Sequence, residues 1–218
     1  MNERMKVLNS LFERTQFNLL SVRTQFNEEI ENRRVLDSLL FNNSGLIDQF
    51  WRVLAILLWA ISNHKKILIF GNGGSAAEAQ HFAAELVCKF EKNRNPIAAI
   101  ALTTDSSILT AQSNDLGFDS VFERQVEALC RPGDVVVGLT TSDITEFADG
   151  SHSRNILGAF RAAQREKGIR IGFFSQRTVK LLEFVDVAII VPHTNTALIQ
   201  EVHLSLIHML CKQIEQAL

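Results

Sequence analysis

Disulfide chemistry has almost nothing to work with in this chain. Its 218 residues include three cysteines, Cys88, Cys130 and Cys211, far apart and without a CxxC pair. That spacing argues against a disulfide framework or a thiolate zinc site. The cysteines are expected to be reduced and buried, as in a cytoplasmic protein. An excess of one charge is lacking too. With 22 Lys and Arg against 24 Asp and Glu, the net charge is −2. Composition therefore gives no global electrostatic reason to expect nucleic acid as a partner. No charged-then-apolar leader is visible in the first residues, which mix polar and apolar types. Long apolar runs are missing as well. The most apolar stretch near the N-terminus, Phe50 to Ile61, contains Arg52 and falls short of the ~18–20 residues a membrane span needs. It is expected to be a helix buried in a bundle or at a subunit interface, and no membrane partner is expected.

What is present suits a globular fold. Hydrophobic residues make up 46% of the chain and charged residues 21%, enough apolar material for a core in one domain with a helical extension. Residues 1–64 carry a helical pattern: Leu8, Phe12, Leu19, Val22 and Phe26 recur at helical spacing, and Asn42 to Gly45 breaks the run before a second helix ending at Asn63. This third is expected to serve oligomerisation. Residues 65–218 change character. Five short apolar runs, Ile67–Phe70, Ile97–Leu102, Val135–Leu139, Ile169–Phe174 and Val187–Val191, read as strands buried on both faces. Helical patterns separate most of them, and a long helix over Ala197–Gln216 closes the chain. The expected fold is α/β, a five-stranded parallel sheet sandwiched by helices, flavodoxin-like or Rossmann-like.

Four motifs carry chemistry. The first is the strand-to-helix junction Gly71, Asn72, Gly73, Gly74, Ser75. Its glycines let backbone N–H groups approach an anion, the following helix adds free donors, and Ser75 can cap that helix or donate its hydroxyl. It lacks both the GxGxxG and the GxxxxGK[ST] spacings. A plain tight turn is the competing reading. The second is Thr140, Thr141 and Ser142, three hydroxyls at a strand's carboxyl end that can wrap a phosphate without a cation. The acidic stretch 143–150 that follows is odd beside a phosphate, and local turns are the alternative. The third is His81 and Glu85, four residues apart on one helix face, a pair that can share a metal or split acid and base roles, or merely be a surface pair. The fourth is Gln200, His203 and His208 on the last helix, where core or interface histidines are the alternative.

Taken jointly, these motifs, with Asn114, Asp115, Gly117, Phe118, Gly133 and Asp134, resemble the sugar isomerase (SIS) family, and within it most closely the phosphoheptose isomerase group. The resemblance covers nearly all of the chain after residue 45. It implies conversion of sedoheptulose 7-phosphate to D-glycero-D-manno-heptose 7-phosphate through an enediol, zinc-assisted, in heptose supply for lipopolysaccharide or a related glycan. It implies a substrate site of Asn72, Gly73, Gly74, Ser75, Glu85, Asn114, Asp115, Thr140, Thr141, Ser142, Ser153 and Gln200. It implies Glu85 and His208 as the proton-transfer pair. It implies His81, Glu85, Gln200 and His208 as ligands of one Zn2+ per subunit, in a homotetramer. A non-catalytic relative that binds the bacterial replication initiator, or a sugar-phosphate-binding regulator, is the other outcome the resemblance allows. The chain departs from the family pattern in the extra residues 143–150, in Lys89 for an arginine, in Ala197 and Leu198, and in Ser175 to Thr178 for a glycine-rich turn. Gln200 and His208 are eight residues apart, about 12 Å along a straight helix. That leaves His203, at i+3 from Gln200, in reserve.

Overall fold

The computed structural model describes residues 3, 7, 19–147 and 150–218. By packing the chain divides into a unit ending at Leu39 and a unit of Leu40–Leu218. The 64/65 boundary read from the sequence falls where the strand pattern begins. The first unit contributes most of α1 (Leu19–Phe41), whose Val22, Phe26 and Ile30 are exposed at four-residue spacing. Leu8 and Phe12, expected on this helix, lie outside the described residues.

In the second unit, Asn43 ends the break and caps α2 (Ser44–Ser62), its side chain accepting from the Leu46 N–H at 3.0 Å. Among the described residues α2 is the one helix long and apolar enough to cross a membrane by length and composition. Its placement explains the composition differently. Leu46, Phe50, Val53, Leu54, Leu57 and Ala60 are buried and the helix lies against the sheet, while Ile47, Trp51 and Trp59 remain exposed.

The elements then alternate: β1 (Ile67–Gly71), α3 (Gly74–Val87), β2 (Ala99–Ala101), α4 (Ser106–Leu116), α5 (Glu123–Leu129) and β3 (Val135–Leu139). A hairpin of β4 (Thr145–Phe147) and β5 (Gly150–His152) follows, then α6 (Arg154–Arg165), β6 (Ile169–Ser175), a 3-10 turn over Lys180–Phe184, β7 (Val187–Val191) and α7 (Thr196–Ala217). The sheet order is β2-β1-β3-β6-β7, every pair parallel. All five expected strands form. β1 and β3 are buried along their whole length, as their unbroken apolar runs require. β2 is shorter than the run Ile97–Leu102 and leaves Ile100 exposed, because it is an edge strand with a neighbour on one side only.

Successive strand residues face opposite helix layers. Leu68, Phe70, Val136 and Phe174 pack with Phe122, Ile156 and Phe160 from α5, α6 and the turn before α5. Four phenylalanines stack edge-on or tilted here, with Phe70 5.3 Å from Phe122 and 5.5 Å from Phe160 between centroids. Each fully buried phenylalanine is worth about 1.5–3 kcal/mol by area alone. On the other layer, α2, α3 and α7 pack on one another or on the strands. The extra segment 143–150, read as an interrupting loop, is in fact half of an antiparallel hairpin pairing Thr145 with His152 and Phe147 with Gly150.

Candidate functional site

The strand order creates the site. From β1 the chain crosses one way to β2, and then the other way to β3, so the carboxyl ends of β1 and β3 open a crevice between diverging connections. The β1 turn lines one wall. Gly73 has φ +56° and ψ −120°, a conformation closed to other residues. At Gly74 the constraint is space: a Cβ there would stand 2.4 Å from the Gln200 Nε2 of α7. Asn72 exchanges two amide hydrogen bonds with Asn155 of α6, 2.9 and 2.8 Å. Ser75 does not cap the helix as its type suggested. It is buried inside the first turn, and Gly73 takes the cap position without a side-chain bond.

The second wall is the β3 turn. Thr140 and Thr141 are buried, the Thr140 hydroxyl receives the Ser142 N–H at 3.2 Å, and it lies 3.4 Å from the Ser153 hydroxyl. Ser153 takes a left-handed conformation, φ +63°, immediately before α6. Hydroxyls and the N-terminus of a twelve-residue helix therefore face the same corner, with the Ile156 N–H given to Asn155 Oδ1 at 2.9 Å. The acidic residue that looked misplaced is accounted for. Asp143 accepts from the N–H groups of Val179 (3.0 Å), Lys180 (2.8 Å) and Leu181 (3.3 Å), and so caps the 3-10 turn. From β6, Ser175 donates to the Thr141 carbonyl at 2.9 Å, and Arg177 Nη2 reaches the same carbonyl at 3.1 Å and Thr196 Oγ1 at 3.3 Å.

The third group sits further along α3 and α7. His81 Nε2 is 3.1 Å from Glu85 Oε1 and 2.9 Å from His208 Nε2, and one donor atom from each residue fits within 4.8 Å of the others. His81 is part-exposed and Glu85 more covered, so the cluster opens to solvent. Phe90 stacks on the His208 ring, centroids 5.4 Å apart and planes 23° apart. Two imidazole nitrogens this close share one proton or turn both lone pairs to a cation. Two nitrogens and a carboxylate, with an open side, fit a divalent zinc-type ion.

The helix-spacing problem resolves in this geometry. Gly74 meets Gln200, and seven residues later His81 meets His208, eight residues on. α3 and α7 therefore run side by side in the same direction, and Gln200 and His208 serve successive stations along them. His203 is the residue this removes from the site. It is fully buried, bonds the Phe174 carbonyl at 3.1 Å and meets Phe173 edge-on. Burial, opposed by that backbone bond, lowers its pKa to about 4, so it is a neutral core histidine.

Other residues were not visible in the motifs. Arg94 donates to the carbonyls of Glu85 (2.6 Å) and Leu86 (2.8 Å), closing the end of α3 beneath the cluster, and pairs with the buried Glu215 of α7 at 3.1 Å. Glu215 also accepts from the N–H groups of Phe90 (2.8 Å), Glu91 (2.8 Å) and Lys92 (2.7 Å). Burial would raise the Glu215 carboxyl, but the N–H groups of Lys92, Phe90 and Glu91, with Arg94, outweigh it and hold the pKa at about 2. Glu78, one turn before His81, is buried with neither carboxylate oxygen hydrogen-bonded, and burial pushes it up to about 7 against the effect of nearby Ser75. Its i, i+3 spacing to His81 was a usable signal. Asn114 and Asp115 end α4, exposed and bonded to each other at 2.9 Å. Among the described residues no contact brings them to the three groups above. Cys130 and Cys211 are buried as expected, whereas Cys88 at the end of α3 is exposed.

A family profile described as the SIS domain matches residues 31–148 of the chain. The chain belongs to the SIS domain family. Among curated relatives, the phosphoheptose isomerase of Aquifex aeolicus is 47% identical over 164 residues, 75% of this chain and 82% of the relative. Among solved structures, the phosphoheptose isomerase of Neisseria gonorrhoeae superposes with a TM-score of 0.75 at 38% identity, covering 92% of this chain and 100% of that one. That of Francisella tularensis gives 0.80 at 32% identity, covering 89% and 98%. The SIS fold expected from the motifs is thus the fold observed.

Proposed function

We propose that this SIS protein is an aldose–ketose isomerase that interconverts sedoheptulose 7-phosphate and D-glycero-D-manno-heptose 7-phosphate. The observation that carries the proposal is the meeting of Glu85 and His208 from two helices, beside a crevice whose far wall is built of hydroxyls and a helix N-terminus. Its extensive identity to phosphoheptose isomerases supports the substrate assignment.

The reaction moves one proton between adjacent carbons. The Glu85 carboxylate takes the proton from C1 of the ketose, leaving an enediol, and after exchange with solvent delivers a proton to C2. His208 carries the accompanying hydroxyl proton, from O1 to O2. The stack with Phe90 and the contact with His81 fix the imidazole for that transfer. Asn72, Gly73, Gly74, Ser75 and Gln200 lie along the sugar. Asn114 and Asp115 complete the substrate site, and Thr140, Thr141, Ser142 and Ser153 hold the phosphate. The reacting carbons and the phosphate lie at opposite ends of a seven-carbon substrate, which suits two separate groups of residues.

His81, Glu85 and His208 would hold one Zn2+ per subunit, and Gln200, at the Gly74 station, is left to the sugar. When bound, that ion supplies Lewis-acid polarisation of the substrate oxygens. The assembly is a homotetramer in the cytoplasm. The exposed Ile47, Trp51 and Trp59 on α2 give the second unit an apolar surface for it.

The test is direct. Purified protein with zinc is offered sedoheptulose 7-phosphate and aldose formation is followed. Turnover in wild type and its loss in Glu85→Gln with retained ligand binding is the expected result. Absence of turnover in wild type contradicts the proposal. The replication-initiator alternative predicts instead capture of an initiator ATPase without turnover. The presence of both Glu85 and His208, brought together through His81, favours the enzyme.

A further inference from the structure

The phosphate corner described above is built of hydroxyls and N–H groups, none of them charged. A phosphate monoester carries close to two negative charges at neutral pH, and a site that excludes water gains most from a fixed cation. A cation bonded to the Thr141 carbonyl comes from a different strand and from a turn the motifs did not flag.

We infer that Arg177 is a substrate-phosphate ligand and sets the preference of the site for a phosphorylated, dianionic end group. This inference rests on the isomerase reading of the crevice. Arg177 sits in the turn after β6, where its own N–H donates to the Ser175 hydroxyl at 3.2 Å. Its Nη2 bonds the Thr141 carbonyl (3.1 Å) and Thr196 Oγ1 (3.3 Å). Thr141 Oγ1 bonds the same Thr196 hydroxyl at 3.3 Å. One hydroxyl therefore bridges the guanidinium and the side chain of the phosphate turn. A phosphate oxygen that accepts from the Thr141 hydroxyl comes within reach of the guanidinium edge.

Two features make the placement purposeful rather than incidental. The turn is locked to the phosphate loop at several points: Ser175 Oγ to the Thr141 carbonyl at 2.9 Å, and Thr178 Oγ1 to the Ser142 carbonyl at 3.4 Å. The guanidinium is thereby held in fixed register with Thr141 and Ser142 by a second, independent set of bonds. Nη2 alone takes these contacts. Nε and Nη1 have no hydrogen bond among the described residues, and the side chain is exposed, so their N–H donors are left for an anion. No carboxylate pairs with Arg177 among the described residues. Asp143, the acidic group closest in sequence to the loop, is committed to the N–H groups of residues 179–181.

The experiment compares wild type with Arg177→Gln and Arg177→Lys, reading kcat and KM for sedoheptulose 7-phosphate, inhibition by inorganic phosphate, and melting temperature. The expected result for Arg177→Gln is a KM raised about 10- to 100-fold, an equal weakening of phosphate inhibition, and kcat within about threefold of wild type. Arg177→Lys falls between, since the point charge remains and the rigid, multi-donor guanidinium is lost. KM and phosphate inhibition both within about twofold of wild type in folded Arg177→Gln would overturn the inference, as would a fall in kcat at unchanged KM. Should Arg177→Gln melt far below wild type, the Lys variant decides by the same two criteria. Failure of the isomerase reading looks different: wild type then has no turnover at all. Calorimetric binding of inorganic phosphate, weakened by Arg177→Gln or not, still decides the inference.

Discussion

The two ends of the crevice are made of different material. At one end, His81, Glu85 and His208 are side chains on two long helices, α3 and α7, held by the Arg94–Glu215 pair beneath and by Phe90 on one side. In the other group, Thr140 to Ser142 follow β3 and Ser153 precedes α6, and the contacts are hydroxyls and backbone groups. Proton transfer needs side chains of particular pKa in fixed positions, which helices packed on a sheet provide. Holding an anion needs many short donors converging on one point, which turns at the carboxyl edge of a sheet provide. The difference teaches where each kind of damage should appear: in kcat at the helical end and in KM at the turn end.

The largest effect should come from the helical end. Glu85→Gln keeps size and loses the base, and kcat is expected to fall on the order of 10³-fold with KM changed only a few-fold. A rise in KM at unchanged kcat would break the comparison. His81→Ala should come next, with bound zinc lost on purification and kcat down about 100-fold. Metal analysis of wild type and variant checks it. A variant that keeps stoichiometric zinc would remove His81 from the ligand set. Smaller again, Thr140→Val removes one hydroxyl of the turn end. KM is expected to rise about tenfold with kcat nearly unchanged, measured by steady-state kinetics.

The smallest effect is read in stability. Glu215 has its folded pKa depressed from 4.5 to about 2. Its contribution is thus complete above pH 4.5 and is lost as pH falls through the folded value, because the unfolded chain takes up the proton first. Melting temperature should drop over that window in wild type, and the drop should be shallower in Glu215→Gln. Glu78 acts with the opposite sign. Its carboxyl is raised to about 7 by burial, so it costs stability as pH rises from 4.5 through 7. Glu78→Gln should flatten that decline, seen in the same melting series.

Much of this was legible in the sequence, for identifiable reasons. Runs such as Val135–Leu139 are fully buried and apolar, so length and flanking turns sufficed to mark strands. His81 and Glu85 are local on one helix, so their pairing followed from spacing alone. The two histidines of α7 show the limit. His203 and His208 sit five residues apart on one helix, and only the neighbour each one faces, Phe174 or His81, separates a core residue from a site residue. Asp143 shows it again. Its acidity looked wrong for an anion site until its three N–H partners, 36 to 38 residues away, came into view. Arg177 and Arg94 act through carbonyl groups of other segments, and carbonyls leave no trace in residue type.

The most direct test of the account is aldose formation from sedoheptulose 7-phosphate in deuterated water, with the product examined at C2. Wild-type protein should form the aldose with solvent deuterium at C2, and Glu85→Gln should form neither the product nor the label. Aldose formation by Glu85→Gln at the wild-type rate, or an inert wild-type protein loaded with zinc, would contradict it.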